Sequence, residues 1–207
     1  MVTPFLITGC GRSGTRWAAE LFTALGFPCG HEVQFSYDRE GPLTASESSW
    51  LAVPHLDSVP PSTRILRIMR DPFKVVQSAM SKGFLLDMAD PYAVYVALHR
   101  PDITLGRNHL ARVIRYVALW DEPLDSRFVL RADGNTHKTT GAVRYATGAR
   151  LLRSDVGLAR KVVGTNTNTT NPALLLPAPT VDQIEDDRDG DLITKRAEQF
   201  GYERSAS

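Results

Sequence analysis

The fold of this chain is decided by residues 4–17, Pro-Phe-Leu-Ile-Thr-Gly-Cys-Gly-Arg-Ser-Gly-Thr-Arg-Trp. An apolar run of strand length, residues 4–8, breaks into a glycine-rich turn. From Gly14 the apolar residues recur with the helical period, and Gly26 is a stop signal for that helix. Strand, glycine-rich turn and helix in this order predict an anion cradle. Glycines let backbone N–H groups converge on a phosphate, and the helix N-terminus adds partial positive charge.

The residue types within this turn narrow the class of ligand. The spacing Gly9-x-x-x-x-Gly14-Thr15 approximates the phosphate loop of nucleotide triphosphatases, but the lysine of that loop is missing and Arg16 follows Thr15. The central cation is Arg12. The stretch resembles instead the 5′-phosphosulfate loop of the sulfotransferases that use 3′-phosphoadenosine-5′-phosphosulfate (PAPS). The match includes Gly11, Arg12, Ser13, Gly14, Thr15, Arg16 and Trp17. The alternative is a turn that only joins a strand to a helix.

A second strand, turn and helix follow the first. Arg64–Met69 is an apolar-rich run that predicts a buried strand, and Arg70 follows it. Asp71 suits a helix N-cap and Pro72 suits the first helical position. The pattern resembles the 3′-phosphate motif of the same family, in which an arginine at a strand end and a serine in the next helix hold the 3′-phosphate of PAPS. Arg70 and Ser78 match that spacing, and the planar fork of arginine suits a phosphate.

Three residues are candidates for the base that removes the proton from an acceptor hydroxyl. His31 and Glu32 end a predicted short strand, residues 27–32, and strand carboxyl ends line the ligand crevice of a doubly wound sheet. Glu32 resembles the base of the tyrosyl-protein sulfotransferases, whose loop cation is also arginine. His55, in Pro-His-Leu, resembles the base of the small-molecule enzymes, although the threonine before their histidine is missing. We expect Glu32 to be the base, oriented or replaced by His31. A surface His-Glu pair and a structural histidine remain alternatives.

The middle of the chain is expected to complete the sheet and cover the acceptor. Residues 48–54 predict another short strand, and residues 83–105 contain no clear long element, which suits a variable cover over the acceptor pocket. An apolar helical face over residues 107–121 predicts a helix. Residues 127–131 predict the next strand.

The last third of the chain is more polar. Residues 161–171 are a polar run that could close on the adenine and 3′-phosphate, as a late loop does in sulfotransferases, or could be a plain surface loop. Residues 172–190 read as a connector to a C-terminal helix that ends near Phe200. Within the connector, residues 180–183 have capping-box spacing.

Composition favours an ordinary globular protein. The chain has 207 residues, of which 43% are hydrophobic and 23% charged, with a net charge of +1. That length suits one α/β domain over residues 1–207, and the charge does not favour a nucleic acid or a membrane surface as partner. No apolar stretch is long enough to span a membrane. Two cysteines, Cys10 and Cys29, do not make a disulfide framework, so we expect a cytoplasmic location.

The sequence therefore predicts a three-layer α/β fold, with a mainly parallel central sheet and helices on both faces, and the resemblance implies the P-loop-like fold of the sulfotransferases. The resemblance implies sulfuryl transfer from PAPS to a hydroxyl or amine of a small-molecule or glycan acceptor, without a metal. It also implies that Arg12 stabilises the sulfuryl group and that Ser13, Gly14 and Thr15 bind the 5′-phosphate. The alternatives are a P-loop kinase or triphosphatase, and a nucleotide-binding module without catalysis.

Overall fold

The structure is a computed structural model that describes residues 3–125, 127–164 and 175–202. Its strands are β1 (Phe5–Gly9), β2 (Gly30–His31), β3 (Phe35–Ser36), β4 (Arg39–Glu40), β5 (Glu47–Ser48), β6 (Arg64–Met69) and β7 (Val129–Arg131). Its α-helices are α1 (Thr15–Ala24), α2 (Pro72–Ser81), α3 (Pro91–His99), α4 (Pro101–Thr104), α5 (His109–Leu119), α6 (Thr136–Thr147), α7 (Arg153–Val163), α8 (Val181–Glu185) and α9 (Gly190–Gln199). A 3₁₀ helix covers Trp50–Ser58.

The chain divides into two compact units. The first unit comprises residues 1–70 and 123–169, and the second comprises residues 71–122 and 170–207. All strands named above belong to the first unit, together with α1, α6, α7 and the 3₁₀ helix. The second unit is built from the remaining helices. That residues 1–207 form one sulfotransferase-like domain stays a prediction.

The first unit is built on a five-stranded sheet with strand order β2-β5-β1-β6-β7. Every pair of neighbouring strands in this sheet is parallel. The fold is therefore α/β, with a parallel central sheet flanked by helices, and the predicted class is confirmed at that level. From β1 the chain moves to one side for β2 and β5, then crosses to the other side for β6 and β7. The strand order thus reverses between β1 and β6, which is where open α/β sheets place a ligand crevice.

Burial explains why β1 is mostly apolar. All five residues of β1 are buried, as expected for the centre of a parallel sheet that is covered on both faces. One face carries a hydrophobic core shared by the strands and by α1, α6 and α7, comprising Phe5, Ile7, Trp17, Ala18, Leu21, Phe22, Leu66, Ile68, Leu130, Ala142, Val143, Ala146 and Ala159. At the end of β1 the neighbouring strand approaches so closely that a Cβ at Gly9 would collide with the Ile68 carbonyl. Glycine therefore allows β1 and β6 to approach each other where the loop begins.

In the second unit, α5 packs against α2, α4 and α9. The rings of Tyr116 and Trp120 are fully buried there, with centroids 5.5 Å apart. Arg196 donates to the Ala118 carbonyl at 3.0 Å and forms a buried ion pair with Asp121. This unit therefore has its own apolar core, with a satisfied charge pair inside it.

Several local predictions are confirmed. The strand predicted over Arg64–Met69 has those bounds. Asp71 caps α2 by accepting from the Phe73 amide at 3.0 Å, and Pro72 takes its first turn. The capping box is present, because the Thr180 hydroxyl accepts from the Gln183 amide at 3.2 Å and the Gln183 side chain accepts from the Thr180 amide at 2.9 Å. The two cysteines are free thiols.

The prediction of a strand over residues 48–54 is wrong for most of that stretch. The strand ends at Ser48, and the chain then enters the 3₁₀ helix. The Ser49 hydroxyl caps this helix by accepting from the Leu51 amide at 3.2 Å. A serine that bonds the backbone two residues on favours a turn over continued strand pairing. The predicted second strand, residues 27–32, also shortens to two residues, Gly30–His31.

Residues 83–105 contain α3 and α4, which the sequence did not reveal as long elements. Asp90 caps α3 by accepting from the Tyr92 amide at 2.9 Å, and a proline begins each of the two helices. These Asp-Pro and Arg-Pro steps are helix starts, where proline costs no hydrogen bond. The polar run at 161–171 lies partly in α7, and residues 165–171 fall outside the described part of the chain. No helix in the described ranges is long and apolar enough to cross a membrane.

Candidate functional site

The loop between β1 and α1 presents an open helix N-terminus. Gly14 is the N-cap of α1 and has a left-handed backbone, with φ 109°. A Cβ there would lie 3.0 Å from the Ala132 side chain, so glycine fits both the torsion and the space. The Ser13 amide donates to the Cys10 carbonyl at 3.2 Å, and the Ser13 hydroxyl bonds the same carbonyl. The local turn is thus closed by its own backbone, and the glycine cap adds no side chain at the start of the helix.

The loop is also anchored to the sheet. Ser13 and Thr15 are buried, with 2% and 5% exposure. The Ser48 hydroxyl donates to the Thr15 carbonyl at 2.8 Å, and the Thr8 hydroxyl donates to the Ser49 carbonyl at 2.7 Å. The first bond ties the start of α1 to β5, and the second ties β1 to the residue after β5. The cradle that the sequence predicts is therefore held by side-chain hydrogen bonds on the β5 side.

Two of the predicted catalytic residues have an uncommon backbone conformation. Among the described residues, three that are not glycine have positive φ, namely Arg12 at 69°, Glu32 at 56° and Leu85 at 61°. A side chain in this left-handed region is disfavoured, and such residues collect at active sites and ligand clamps. The surrounding structure imposes this conformation on both the loop cation and the predicted base.

His31 and Glu32 are brought together with Thr15. His31 Nε2 lies 3.2 Å from the Thr15 hydroxyl and 3.4 Å from Glu32 Oε1. The Trp50 side chain bonds the Glu32 carboxylate. Thr15 is the first residue of α1, so this cluster joins the predicted anion loop directly to the predicted base.

Burial shifts the pKa values of this cluster in opposite directions. Desolvation, with the nearby positive charge of Arg16, lowers the pKa of His31 to about 4. Desolvation first, and then the negative charge of Glu47, raise the pKa of Glu32, against which the Trp50 hydrogen bond acts. The imidazole is thus kept neutral while the carboxylate gains proton affinity. This division suits Glu32 as a base and His31 as a neutral hydrogen-bonding partner.

Glu47 is a site residue that sequence reasoning missed. It lies on β5 with 0% exposure, and its Oε1 accepts from the Val33 amide at 2.7 Å and from the Gln34 amide at 3.4 Å. Its Oε2 is buried and has no hydrogen-bond partner among the described residues. The available signal was a glutamate just before a predicted strand, but no sequence pattern separates it from a surface residue.

Arg16 and Trp17, predicted to bind the nucleotide, make other contacts in this structure. Arg16 lies on the exposed side of α1 and pairs with Glu20 at 3.1 Å. Trp17 is buried in the core with 4% exposure, and the guanidinium of Arg160 lies 5.1 Å from its ring centroid. Arg160 was not foreseen. It comes from α7, donates to the Thr139 hydroxyl at 2.6 Å, and has a pKa lowered by burial.

The two residues predicted to hold a 3′-phosphate belong to different units. Arg70 follows β6 at its carboxyl end, is half-buried, and belongs to the first unit. Ser78 lies in α2 of the second unit. Because β6 neighbours β1, Arg70 and the loop follow adjacent strands at the same edge of the sheet. The joint action of Arg70 and Ser78 stays a prediction.

His55, the other candidate base, lies on a different element from His31 and Glu32. It occupies a kink in the 3₁₀ helix, with φ −110° and ψ 17°, and its ring stacks on Phe35 with centroids 6.2 Å apart. Its contact with Phe35 suits a packing role. Within the described ranges, no group of three or more His, Cys, Asp and Glu side chains could hold a metal ion.

No family model matches the chain, and no curated protein or solved structure matches it either. The resemblance to sulfotransferases therefore rests on the two sequence motifs alone.

Proposed function

We propose that this protein is a PAPS-dependent sulfotransferase with a three-layer, P-loop-like fold. It would transfer the sulfuryl group of PAPS to a hydroxyl or amine of a small-molecule or glycan acceptor and release 3′,5′-phosphoadenosine. The proposal rests above all on one observation. The loop cation Arg12 and the candidate base Glu32 both have a left-handed backbone, and Thr15 links the loop to the base through His31.

Sulfuryl transfer requires positive charge near the bond of PAPS that breaks. In sulfuryl transfer the acceptor oxygen attacks sulfur while the bond from sulfur to the phosphate oxygen breaks, and negative charge grows on that leaving oxygen. As in phosphoryl transfer, catalysis comes mainly from positioning and electrostatic stabilisation. Arg12 supplies the charge, and the amides at the start of α1 bind the 5′-phosphate. Arg70 supplies the cation for the 3′-phosphate at the neighbouring strand end.

The proton of the attacking hydroxyl goes to Glu32. Its carboxylate gains proton affinity from burial and from the charge of Glu47, as a general base at neutral pH requires. Trp50 and His31 orient it. A P-loop kinase has less support, because that mechanism needs a lysine in the loop and a carboxylate for magnesium, and the residue after β6 is Arg70.

The test compares nucleotides that differ only in the 3′-phosphate. We expect calorimetry to give much tighter binding of 3′,5′-phosphoadenosine than of AMP, and the Arg70→Ala variant to lose that preference. Losing one charge-assisted hydrogen bond costs about 1.5–3 kcal/mol, which is roughly tenfold or more in affinity. Equal affinity of the wild type for both nucleotides would contradict the proposal. Transfer of label from PAPS to a panel of acceptors then separates an enzyme from a binding module.

A further inference from the structure

The backbone next to Glu32 is held by the buried carboxylate of Glu47. Glu47 Oε1 accepts from the amides of Val33 and Gln34, the two residues that follow Glu32. Glu32 itself has φ 56°, so the chain turns sharply there. Two hydrogen bonds donated to one carboxylate oxygen hold these amides in place. The turn that presents Glu32 therefore depends on Glu47.

The other oxygen of Glu47 points to a role beyond this anchoring. Oε2 is buried without a hydrogen-bond partner among the described residues, and a Cβ at Gly30 would collide with it. An apolar residue of the same size would avoid burying this oxygen unpaired, but it could not accept from the amides of Val33 and Gln34. Such an unpaired buried acceptor needs an explanation.

We propose that Glu47 is a positioning residue for Glu32. Its ionised carboxylate, held by the amides of Val33 and Gln34, fixes the turn that presents Glu32 and places a negative charge near the Glu32 carboxylate. The role given to Glu32 rests on the proposed function, whereas the coupling of the two carboxylates does not. Burial raises the pKa of Glu47, and its amide hydrogen bonds act against that shift because they favour the ionised form. The charge of the ionised Glu47 raises the pKa of Glu32.

Other charges near the pair must be accounted for. The elements around the turn carry Cys29 and His31 just before it, Arg16 with its partner Glu20 on α1, Arg39 on β4, and His55 and Asp57 in the 3₁₀ helix. Arg39 donates to the Val33 carbonyl at 2.8 Å and so supports the same turn. Burial, and then the charge of Glu47, raise the pKa of Cys29, which keeps that thiol neutral. Because Cys29 and His31 are both held neutral, Glu47 is the negative charge that acts on Glu32.

The experiment measures the titration of Glu32 in the free, full-length protein. Carboxyl carbons of ¹³C-labelled glutamate are followed by NMR, and the Glu32 signal is assigned by its loss in Glu32→Gln. In Glu47→Gln the amide oxygen can still accept from both backbone amides, so the turn keeps its acceptor while the charge is removed. We expect the Glu32 midpoint to fall by about one pH unit, a tenfold loss of proton affinity. Asp155→Asn is the matched control, since Asp155 also accepts from a backbone amide, that of Leu152 at 3.3 Å; it should leave the midpoint unchanged.

A second variant tests the anchoring alone. Glu47→Ala removes the acceptor, and we expect hydrogen exchange at the amides of Val33 and Gln34 to accelerate about tenfold or more, with a smaller change in Glu47→Gln. An unchanged Glu32 midpoint in Glu47→Gln, or unchanged exchange in Glu47→Ala, overturns the proposal. Neither measurement needs PAPS or an acceptor. The absence of sulfuryl transfer would thus refute the proposed function and leave the test of Glu47 standing.

Discussion

Arg12 and Glu32 have a backbone conformation that is unfavourable by about 1–2 kcal/mol for a residue with a side chain. Asparagine or glycine would fit these torsions at lower cost. The surrounding contacts must therefore impose the conformation, and at Glu32 those contacts are visible as the Glu47 bonds to the next two amides. Such a conformation at a residue with a chemical role suits a functional site, where the direction of the side chain is fixed at a cost in local stability.

Removing the loop cation is expected to affect turnover more than binding. Arg12→Ala should lower kcat for sulfuryl transfer by about a hundredfold or more, as loss of a donor that stabilises developing charge does elsewhere. Affinity for 3′,5′-phosphoadenosine should change less, because the main action of Arg12 is in the transition state. Single-turnover kinetics and calorimetry on the same variant measure the two effects. A kcat near that of the wild type would reduce Arg12 to a ground-state contact.

Two substitutions decide between the candidate bases. Glu32→Gln should lower the rate of single-turnover transfer by about a hundredfold or more, because a glutamine cannot take the proton from the attacking hydroxyl. His55→Gln should change it little, since His55 stacks on Phe35 at a kink of the 3₁₀ helix. Nucleotide affinity is measured for both variants as the control. The opposite outcome, an active Glu32→Gln and an inactive His55→Gln, would assign the base to His55.

At the scale of the element, the sequence predicts best where local signals and burial agree. β1, α1, β6 and α2 were all foreseen, because each combines a periodic apolar pattern with a glycine, aspartate or proline at its boundary. The short strands β2 and β5 have two residues each, too few for any period to appear. Helices α6 and α7 are rich in polar residues, so their sequences do not predict them.

The residues of the candidate site also differ in how well the sequence predicts them. Arg12, Ser13, Gly14 and Thr15 were predictable because the loop is contiguous in sequence. Glu47 and Arg160 come from distant segments, and only the fold brings them to residues 31–34 and to Trp17. Their roles depend on burial and on partners, which a single sequence does not encode locally. The contact of Trp17 with the core, and of Arg16 with Glu20, depends likewise on packing.

In the second unit, the buried ion pair between α9 and Asp121 should be important for stability. Arg196 has 8% and Asp121 0% of its side chain exposed. Asp121→Ala leaves the guanidinium buried without its carboxylate, which costs about 3–5 kcal/mol. Glu122→Ala is the control in the same unit, because Glu122 is 68% exposed and pairs with Arg100 at 3.5 Å; its effect should stay below about 1 kcal/mol. Thermal unfolding measures the stability of both variants. Equal losses of stability would contradict the expectation that the buried ion pair contributes more than the exposed one.

At the scale of the whole molecule, folding stability responds to pH through every group whose pKa changes on folding. The folded protein lowers the pKa of His31 from 6.5 to about 4. Between these values the unfolded chain binds more protons, so His31 lowers stability as the pH falls through that window. Glu32 and Glu47 have raised pKa values and act with the opposite sign: as the pH rises above 4.5, the folded form retains protons that the unfolded form loses, and stability falls.

The contribution of His31 can be isolated by replacing it with a residue that does not titrate. Relative to His31→Asn, the wild type should lose stability as the pH falls from 7 to 5, by up to about 2 kcal/mol at pH 5. The value should be smaller in practice, because 29% of the side chain is exposed and solvent screens the charge. Urea denaturation of both proteins at several pH values measures the difference, with His137→Asn as the control for an exposed imidazole. Since the carboxylates are common to both proteins, their opposite contribution largely cancels. A difference that is constant across this range would mean that the folded protein accepts a proton on His31 as readily as the unfolded chain does. The neutral imidazole between Thr15 and Glu32 would then no longer be part of the site.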